Sequence, residues 1–103
     1  MTLKLHCFGE SGNAYKAALA LELSGLEWEA VYVDFFNGAS RTEAFKALNT
    51  MGEVPALIDT EHEYAITQSG AIQDYISHIS GKFAGNSPEE RREVLRWVLF
   101  DNH

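Results

Sequence analysis

Two short segments of the chain hold the residue types best suited to chemistry. The first is Glu53-Val54-Pro55-Ala56-Leu57, in which a proline enters an apolar run directly after a branched residue. This order favours a cis peptide bond before Pro55, which turns the Val54 main chain outward as an open strand edge. An open edge of this kind pairs with the backbone of a bound peptide.

The second segment is Gln68-Ser69, which stands where a helical pattern begins. It offers a side-chain amide, a hydroxyl and backbone N–H groups at the positive end of a helix dipole, a combination that suits a small carboxylate. In a simpler interpretation Ser69 is only the N-cap of the helix, and the two roles are compatible because open backbone donors at a cap also bind anions. Together the two segments predict a clamp for a peptide that carries a carboxylate.

Hydrophobic periodicity predicts the elements that must position this clamp. Alternating apolar residues predict strands, apolar residues at helical spacing predict helices, and Gly25 and Gly81 end two of the helices because glycine adopts the left-handed cap. The predicted order is β-α-β-α-β-β-α, with strands at 3–8, 28–33, 55–59 and 64–67 and helices at 12–24, 40–48 and 69–80. A crossover unit followed by a hairpin is a thioredoxin-like α/β arrangement.

A further helix is predicted after residues 82–87, which include Gly85 and Asn86 and are typical of a linker. Ser87-Pro88-Glu89-Glu90 is a strong helix start, with a serine cap, proline at the first helical position and acids in the first turn. The apolar residues that follow cover more than one face, which favours packing among other helices. They are Val94, Leu95, Trp97, Val98, Leu99 and Phe100.

Taken in order, these segments resemble the N-terminal domain of the cytosolic, bacterial-type glutathione S-transferases, over almost the whole chain. The segments that carry the resemblance are LKLHCF at 3–8, SGNAYK at 11–16, AALALELSG at 17–25, VPAL at 54–57 and QSGAI at 68–72. The resemblance implies a thioredoxin-like βαβαββα domain at 1–81 and a linker at 82–87. It also implies that 88–103 is the first helix of an all-helical C-terminal domain whose remainder is missing.

The same resemblance implies an enzyme that binds glutathione as a co-substrate and activates its thiol for transfer to a small electrophile. In such a detoxification-type homodimer, Val54, Pro55, Gln68 and Ser69 hold the tripeptide. Glu53 lies near the glycyl end, where the acid departs from the cation-compatible residue of many relatives. An alternative is a non-catalytic transferase-like module that binds a protein partner, as in branches of the family attached to transcription or translation machinery.

For the reacting thiol, the resemblance to serine-type members assigns the hydrogen bond to Ser11, with Asn13 as the rival donor. Lowering the pKa of a thiol by about two units from its reference value near 8.5 requires roughly 2.7 kcal/mol of preference for the thiolate. One hydrogen bond to a charged group contributes about 1.5–3 kcal/mol, so Ser11 together with a helix N-terminus is sufficient. The alternative interpretation is that Ser11 merely caps the first helix.

Charge and cysteine content exclude several other functions. The net charge of −7 argues against nucleic acid and anionic membranes as partners, since both require a basic surface. Cys7 is the single cysteine, which excludes an internal disulfide and dithiol chemistry and fits a reducing compartment. With no membrane-spanning run and no leader, we expect a cytoplasmic protein. We expect no metal site, because metal-ligand spacing is lacking at His6, His62, His78 and His103.

Overall fold

The computed structural model describes residues 2–34, 42–43 and 54–101. The elements within them are β1 (Leu3–Cys7), α1 (Gly12–Ser24), β2 (Trp28–Tyr32), β3 (Ala56–Asp59), β4 (Tyr64–Thr67), α2 (Ser69–Ser80) and α3 (Pro88–Asp101). Each was predicted from the sequence, and the differences are single residues at strand ends. The helix predicted at 40–48, apart from Thr42 and Glu43, lies outside the described residues, as does Glu53.

The four strands form one mixed sheet in the order β2-β1-β3-β4. β1 and β2 are parallel, with Leu3 opposite Trp28 and Cys7 opposite Tyr32. Parallel neighbours need a crossover connection, and α1 supplies it. β3 is antiparallel to both β1 and β4. The predicted crossover unit followed by a hairpin is therefore confirmed.

The hydrophobic core lies between this sheet and the helices α1 and α2, which also pack against each other. Its residues are spaced by two along the strands and by four along the helices, so each element presents one apolar face. Full burial of a large aliphatic side chain contributes about 1.5–3 kcal/mol, which fixes both helices on the sheet. The core residues are Leu3, Leu5, Ala17, Leu21, Leu57, Ile66, Ile72 and Ile76.

Residues 82–87, predicted to be a linker, run close to the rest of the domain. Lys82 Nζ donates a hydrogen bond of 3.0 Å to the Ser24 carbonyl at the C-terminal end of α1. Gly85 has a φ of +81°, and a Cβ built there would lie 2.7 Å from Cβ of Glu90. Glycine is required at this point by both the backbone conformation and the available space.

The start of α3 is capped as its sequence predicted. The Glu90 N–H donates to Oγ of Ser87 at 3.1 Å, and the Glu90 carboxylate accepts from the Asn86 N–H at 2.6 Å. The serine and the glutamate thus satisfy two backbone donors, in a variant of the capping box. These two hydrogen bonds fix the direction in which α3 leaves residues 82–87.

Helix α3 lies beside α1 and buries none of its residues completely. An ion pair between Lys16 and Asp101 joins the two helices near the start of α1. A groove of about 350 Å³ separates them and is lined largely by apolar side chains, including Leu19, Leu23, Val94, Leu95 and Val98. The expectation that α3 packs among other helices stays a prediction, because Leu95, Trp97, Leu99 and Phe100 are all more than half exposed. No helix in the described part of the chain is long and apolar enough to cross a membrane.

Candidate functional site

Three separate parts of the sequence meet at one edge of the sheet. The register places His6 opposite Ala56, and Ala56 opposite Thr67. The end of β1, the start of β3 and the end of β4 therefore lie side by side. The segments that continue from these points carry Ser11, Val54-Pro55 and Gln68-Ser69, so the candidate residues converge at this edge.

The Val54–Pro55 segment has the geometry expected from its sequence. The predicted cis peptide bond between the two residues is present, Pro55 is buried and Val54 is half-buried. Pairing of β3 with its neighbours begins only at Ala56. The Val54 main chain therefore extends beyond the paired part of the sheet, where an added peptide backbone would form the next hydrogen bonds.

Two helix N-termini point toward the same edge. α1 begins at Gly12 directly after the loop that follows β1, and α2 begins at Ser69 directly after β4. Because the first N–H groups of a helix lack intrahelical partners and carry the positive end of its dipole, this edge favours an anion. The local preference opposes the overall net charge of −7.

Ser11 occupies the N-cap position of α1, with an extended backbone at φ −81° and ψ 117°. Its Oγ accepts a hydrogen bond of 3.1 Å from the Ala14 N–H, so the capping role is confirmed. A hydroxyl has one donor in addition to its acceptor lone pairs, and this bond uses only an acceptor. Capping therefore leaves the Ser11 O–H able to donate to a sulfur. Asn13, the rival donor, is exposed in the first turn of α1.

Gln68 has an unusual backbone conformation that no local sequence signal predicts. It occupies the N-cap position of α2 with φ 74° and ψ 121°, and its side chain makes no capping hydrogen bond. Its carbonyl accepts the first helical bond, from the Ile72 N–H at 2.9 Å. A non-glycine residue held in such a region costs of order 1–3 kcal/mol, and such residues concentrate at functional sites.

Ser69 is the first helical residue of α2 and is only 4% exposed. The interpretation of Ser69 as the N-cap is therefore wrong by one position, because the chain already turns into the helix at Gln68. The exposed amide of Gln68 and the hydroxyl of Ser69 stand next to each other at the start of the helix.

Cys7 lies at the end of β1 and packs against the core, as expected for a small core residue. Burial raises the pKa of its thiol. A raised pKa disfavours the thiolate, which is the nucleophilic form of cysteine. The geometry therefore gives Cys7 a packing role.

The sequence analysis did not identify a buried polar cluster at the opposite end of the sheet, where Asp59 pairs with Leu3. Asp59 is 0% exposed. Its Oδ1 accepts hydrogen bonds from the backbone N–H groups of Glu61 at 3.1 Å and His62 at 3.3 Å. Its Oδ2 is 2.9 Å from Nδ1 of His62 and accepts a further bond from the Tyr75 hydroxyl on α2. Aspartate before a polar turn is a typical turn residue, and this signal alone does not predict the contact with Tyr75.

The hydrogen bonds of this cluster shift the pKa of each member. Burial acts to raise the pKa of Asp59, but the bonds from Tyr75 and His62 outweigh it and hold that pKa below its usual value. The bond to Asp59 raises the pKa of His62. Burial and the bond to Asp59 raise the pKa of Tyr75 to about 12. At neutral pH the cluster therefore holds an ionised carboxylate and a neutral phenol.

Comparisons with known proteins agree with this architecture. Residues 1–78 match the family model described as glutathione S-transferase, N-terminal domain. The chain is 35% identical to the protein LigF of Sphingobium sp. (strain NBRC 103272 / SYK-6) over 103 residues, which cover 95% of this chain and 39% of LigF. It is 28% identical to elongation factor 1-gamma of Artemia salina over 97 residues, which cover 94% of this chain and 22% of that protein.

Among solved structures, a glutathione transferase from Pseudomonas putida with glutathione disulfide bound superposes with a TM-score of 0.92. The sequence identity is 28%, and the superposition covers 98% of this chain and 45% of that chain. The chain thus spans less than half the length of each of these three proteins. The family match over most of the chain, the thioredoxin-like sheet and the order of the segments lead to one assignment: the chain belongs to the glutathione S-transferase N-terminal domain family.

Proposed function

We propose that this domain binds glutathione at the sheet edge where Ser11, Val54 and Gln68-Ser69 converge, and activates its thiol for transfer to an electrophile. The observation that carries the proposal is the meeting of two helix N-termini and an unpaired strand end at one edge. A tripeptide with a carboxylate at one end and a thiol in its middle matches those groups. The glutathione disulfide bound to the Pseudomonas putida transferase supports the choice of ligand.

Each part of glutathione has a partner in this proposal. The Val54 main chain pairs with the cysteinyl unit in the manner of an added strand. Gln68 and Ser69 hold the γ-glutamyl carboxylate at the positive end of α2. Ser11 donates a hydrogen bond to the sulfur, and this bond together with the positive end of α1 stabilises the thiolate. The glycyl end lies near Glu53, which is outside the described residues.

The reaction that follows is nucleophilic attack. The glutathione thiol loses its proton to solvent, and the sulfur lone pair forms a bond to an electrophilic carbon of a small second substrate. The bond from that carbon to a leaving group breaks, and the leaving group departs with its electron pair. We place this activity in the cytoplasm, where a protein with one cysteine is compatible with reducing conditions.

A homodimer is part of the proposal, because the exposed apolar side chains of α3 favour contact with a second copy. Sedimentation at micromolar concentration checks the dimer.

The proposal is tested by replacing Ser69 with alanine. Ser69→Ala is expected to weaken glutathione binding by about five- to thirtyfold, or ~1–2 kcal/mol, because a charge-assisted hydrogen bond to the carboxylate is lost. Titration calorimetry at neutral pH measures the affinity. Ser80→Ala, at the other end of the same helix, is the matched control and should bind like the parent protein. Equal affinities for Ser69→Ala and the parent would rule out the γ-glutamyl site at Ser69.

The conformation of Gln68 leads to a second prediction, in which stability and binding change in opposite directions. Gln68→Gly is expected to raise the free energy of unfolding by up to ~1 kcal/mol, because glycine adopts positive φ without steric cost while losing part of the gain to backbone entropy. Glutathione affinity should fall severalfold because the amide is lost. Glu63→Gly, at another positive-φ site (φ 50°) in the turn between β3 and β4, is the control that leaves affinity unchanged. Undiminished affinity in Gln68→Gly contradicts a binding role for the amide.

The likeness to elongation factor 1-gamma across 94% of this chain favours one second candidate, a non-catalytic module that binds a protein partner. The two functions differ in what happens when glutathione is added. An increase in ultraviolet thiolate absorbance supports the transferase. A folded domain that gives neither a calorimetric signal nor thiolate absorbance supports the binding module instead.

A further inference from the structure

The buried polar cluster of Asp59, His62 and Tyr75, here called the Asp59 cluster, joins two elements that carry opposite halves of the proposed glutathione site. β3 has Asp59 at its end, and Val54 lies two residues before its start. α2 has Tyr75 in its middle and Ser69 at its start. The hydrogen bond from Tyr75 to Asp59 therefore ties α2 directly to β3.

The part of α2 between Ser69 and Tyr75 is short and stiff. Tyr75 lies six positions after Ser69, which at ~1.5 Å per residue is about 9 Å of helix. A displacement of Tyr75 along the helix axis therefore moves Ser69 by the same amount. The bond between Tyr75 and Asp59 is the polar contact that fixes this position, in addition to the apolar contacts of Ile72 and Ile76 with the core.

We propose that the Asp59 cluster positions α2 along β3, and so sets the separation of Val54 and Ser69 in the glutathione site, and that the proton on His62 regulates this positioning. The proposal rests on the glutathione site proposed above. His62 and Tyr75 are positioning residues in it, since neither touches the ligand.

The surroundings of His62 favour its protonated form. Its Nδ1 contacts Asp59 from β3, and Glu61 adjoins it in the turn. Tyr75 from α2 bonds to the same Asp59 oxygen, and Tyr64 from β4 packs against Tyr75 with their ring centroids 5.5 Å apart. Aspartate, glutamate and tyrosine side chains carry no positive charge in any protonation state. The imidazolium form of His62 therefore makes a charge-assisted bond to Asp59 that the neutral ring does not make.

The direction of the pH dependence follows from the raised pKa of His62. A group whose pKa is higher in the folded protein stabilises the fold fully below its unfolded pKa and loses that contribution as the pH rises through the folded value. The Asp59 cluster is thus tight at acidic to neutral pH and loosens toward the alkaline side. Thiolate formation by glutathione has the opposite pH dependence, so the two effects can be separated.

S-methylglutathione is the appropriate probe, because it lacks an ionisable thiol. In the parent protein its dissociation constant is expected to rise by up to about fivefold as the pH passes the His62 pKa, the size of effect typical of an exposed ion pair. His62→Asn retains a hydrogen-bond donor without a titrating proton and should give a flat profile. His78→Asn, on the exposed side of α2, is the matched control and should keep the parent profile. Tyr75→Phe should weaken binding at every pH.

Amide hydrogen exchange at Glu61 and His62 provides a readout that does not depend on ligand. After correction for intrinsic rates, protection of these amides should fall over the same pH range in the parent protein and not in His62→Asn. A parent-like pH profile in His62→Asn, in both measurements, overturns the proposal. If amide exchange responds to pH while the affinity for S-methylglutathione does not, the claim that the Asp59 cluster positions the glutathione site is overturned. If the parent fails to bind the probe at any pH, the proposed function fails, and exchange alone decides whether His62 controls the cluster.

Discussion

Ser11→Ala is expected to raise the pKa of the bound glutathione thiol by about one to two units, which lowers the thiolate fraction at pH 7 by about three- to twenty-fivefold from a parent pKa of ~6.5. The reason is the loss of the O–H donor, the part of the Ser11 hydroxyl that capping of α1 does not use. Thiolate absorbance of the complex, followed against pH, measures the shift.

Two further variants separate the donor from the cap. Ser11→Thr keeps both the donor and the capping oxygen, so the thiol pKa should stay near that of the parent complex. Ser11→Ala also loses the cap, worth about 0.5–2 kcal/mol of stability, and the free energy of unfolding is therefore measured on the same samples. If Asn13→Ala raises the thiol pKa while Ser11→Ala leaves it in place, the donor is Asn13.

Asp59→Ala is expected to lower the free energy of unfolding by about 3–5 kcal/mol, a large part of the roughly 5–15 kcal/mol of a typical domain. The substitution removes a carboxylate that is 0% exposed and leaves its hydrogen-bond donors without an acceptor. Denaturant unfolding measures the loss. Asp74→Ala, on the exposed face of α2, is the control and should change stability by less than about 0.5 kcal/mol.

The acid limb of the stability profile gives an independent check on Asp59. Because its pKa is lowered in the folded protein, its contribution is present above the unfolded carboxyl pKa and is lost as the pH falls through the folded value. The parent protein should therefore lose stability on acidification more steeply than Asp59→Ala does. Parallel acid profiles for the two proteins would contradict the role of the ionised carboxylate.

The sequence predicted most of the elements because their signals are local. Gly25 and Gly81 end helices in the left-handed conformation, as expected from their position after apolar helical patterns. The cis bond before Pro55 likewise depends on neighbouring residues. The predicted site residues other than Glu53, which is outside the described residues, lie at one edge of the sheet, and their roles in binding and catalysis stay predictions.

The features that sequence reasoning missed depend on contacts between distant residues. Asp59 resembles an ordinary turn residue until α2 brings Tyr75, sixteen positions later, onto its carboxylate. The positive φ of Gln68 is imposed by the junction of β4 and α2, and glutamine carries no local preference for it. Periodicity and turn chemistry do not encode such tertiary constraints.

The contacts of residues 82–87 have a mechanical consequence for the groove beside α1. One end of α3 is tied to α1 through residues 82–87, by the Lys82 bond to Ser24, and the other by the Lys16–Asp101 ion pair. A helix anchored at both ends does not swing as a lever, so the groove widens chiefly by rotation of its lining side chains. We expect any molecule that enters the groove to be selected by its fit to walls of nearly constant spacing.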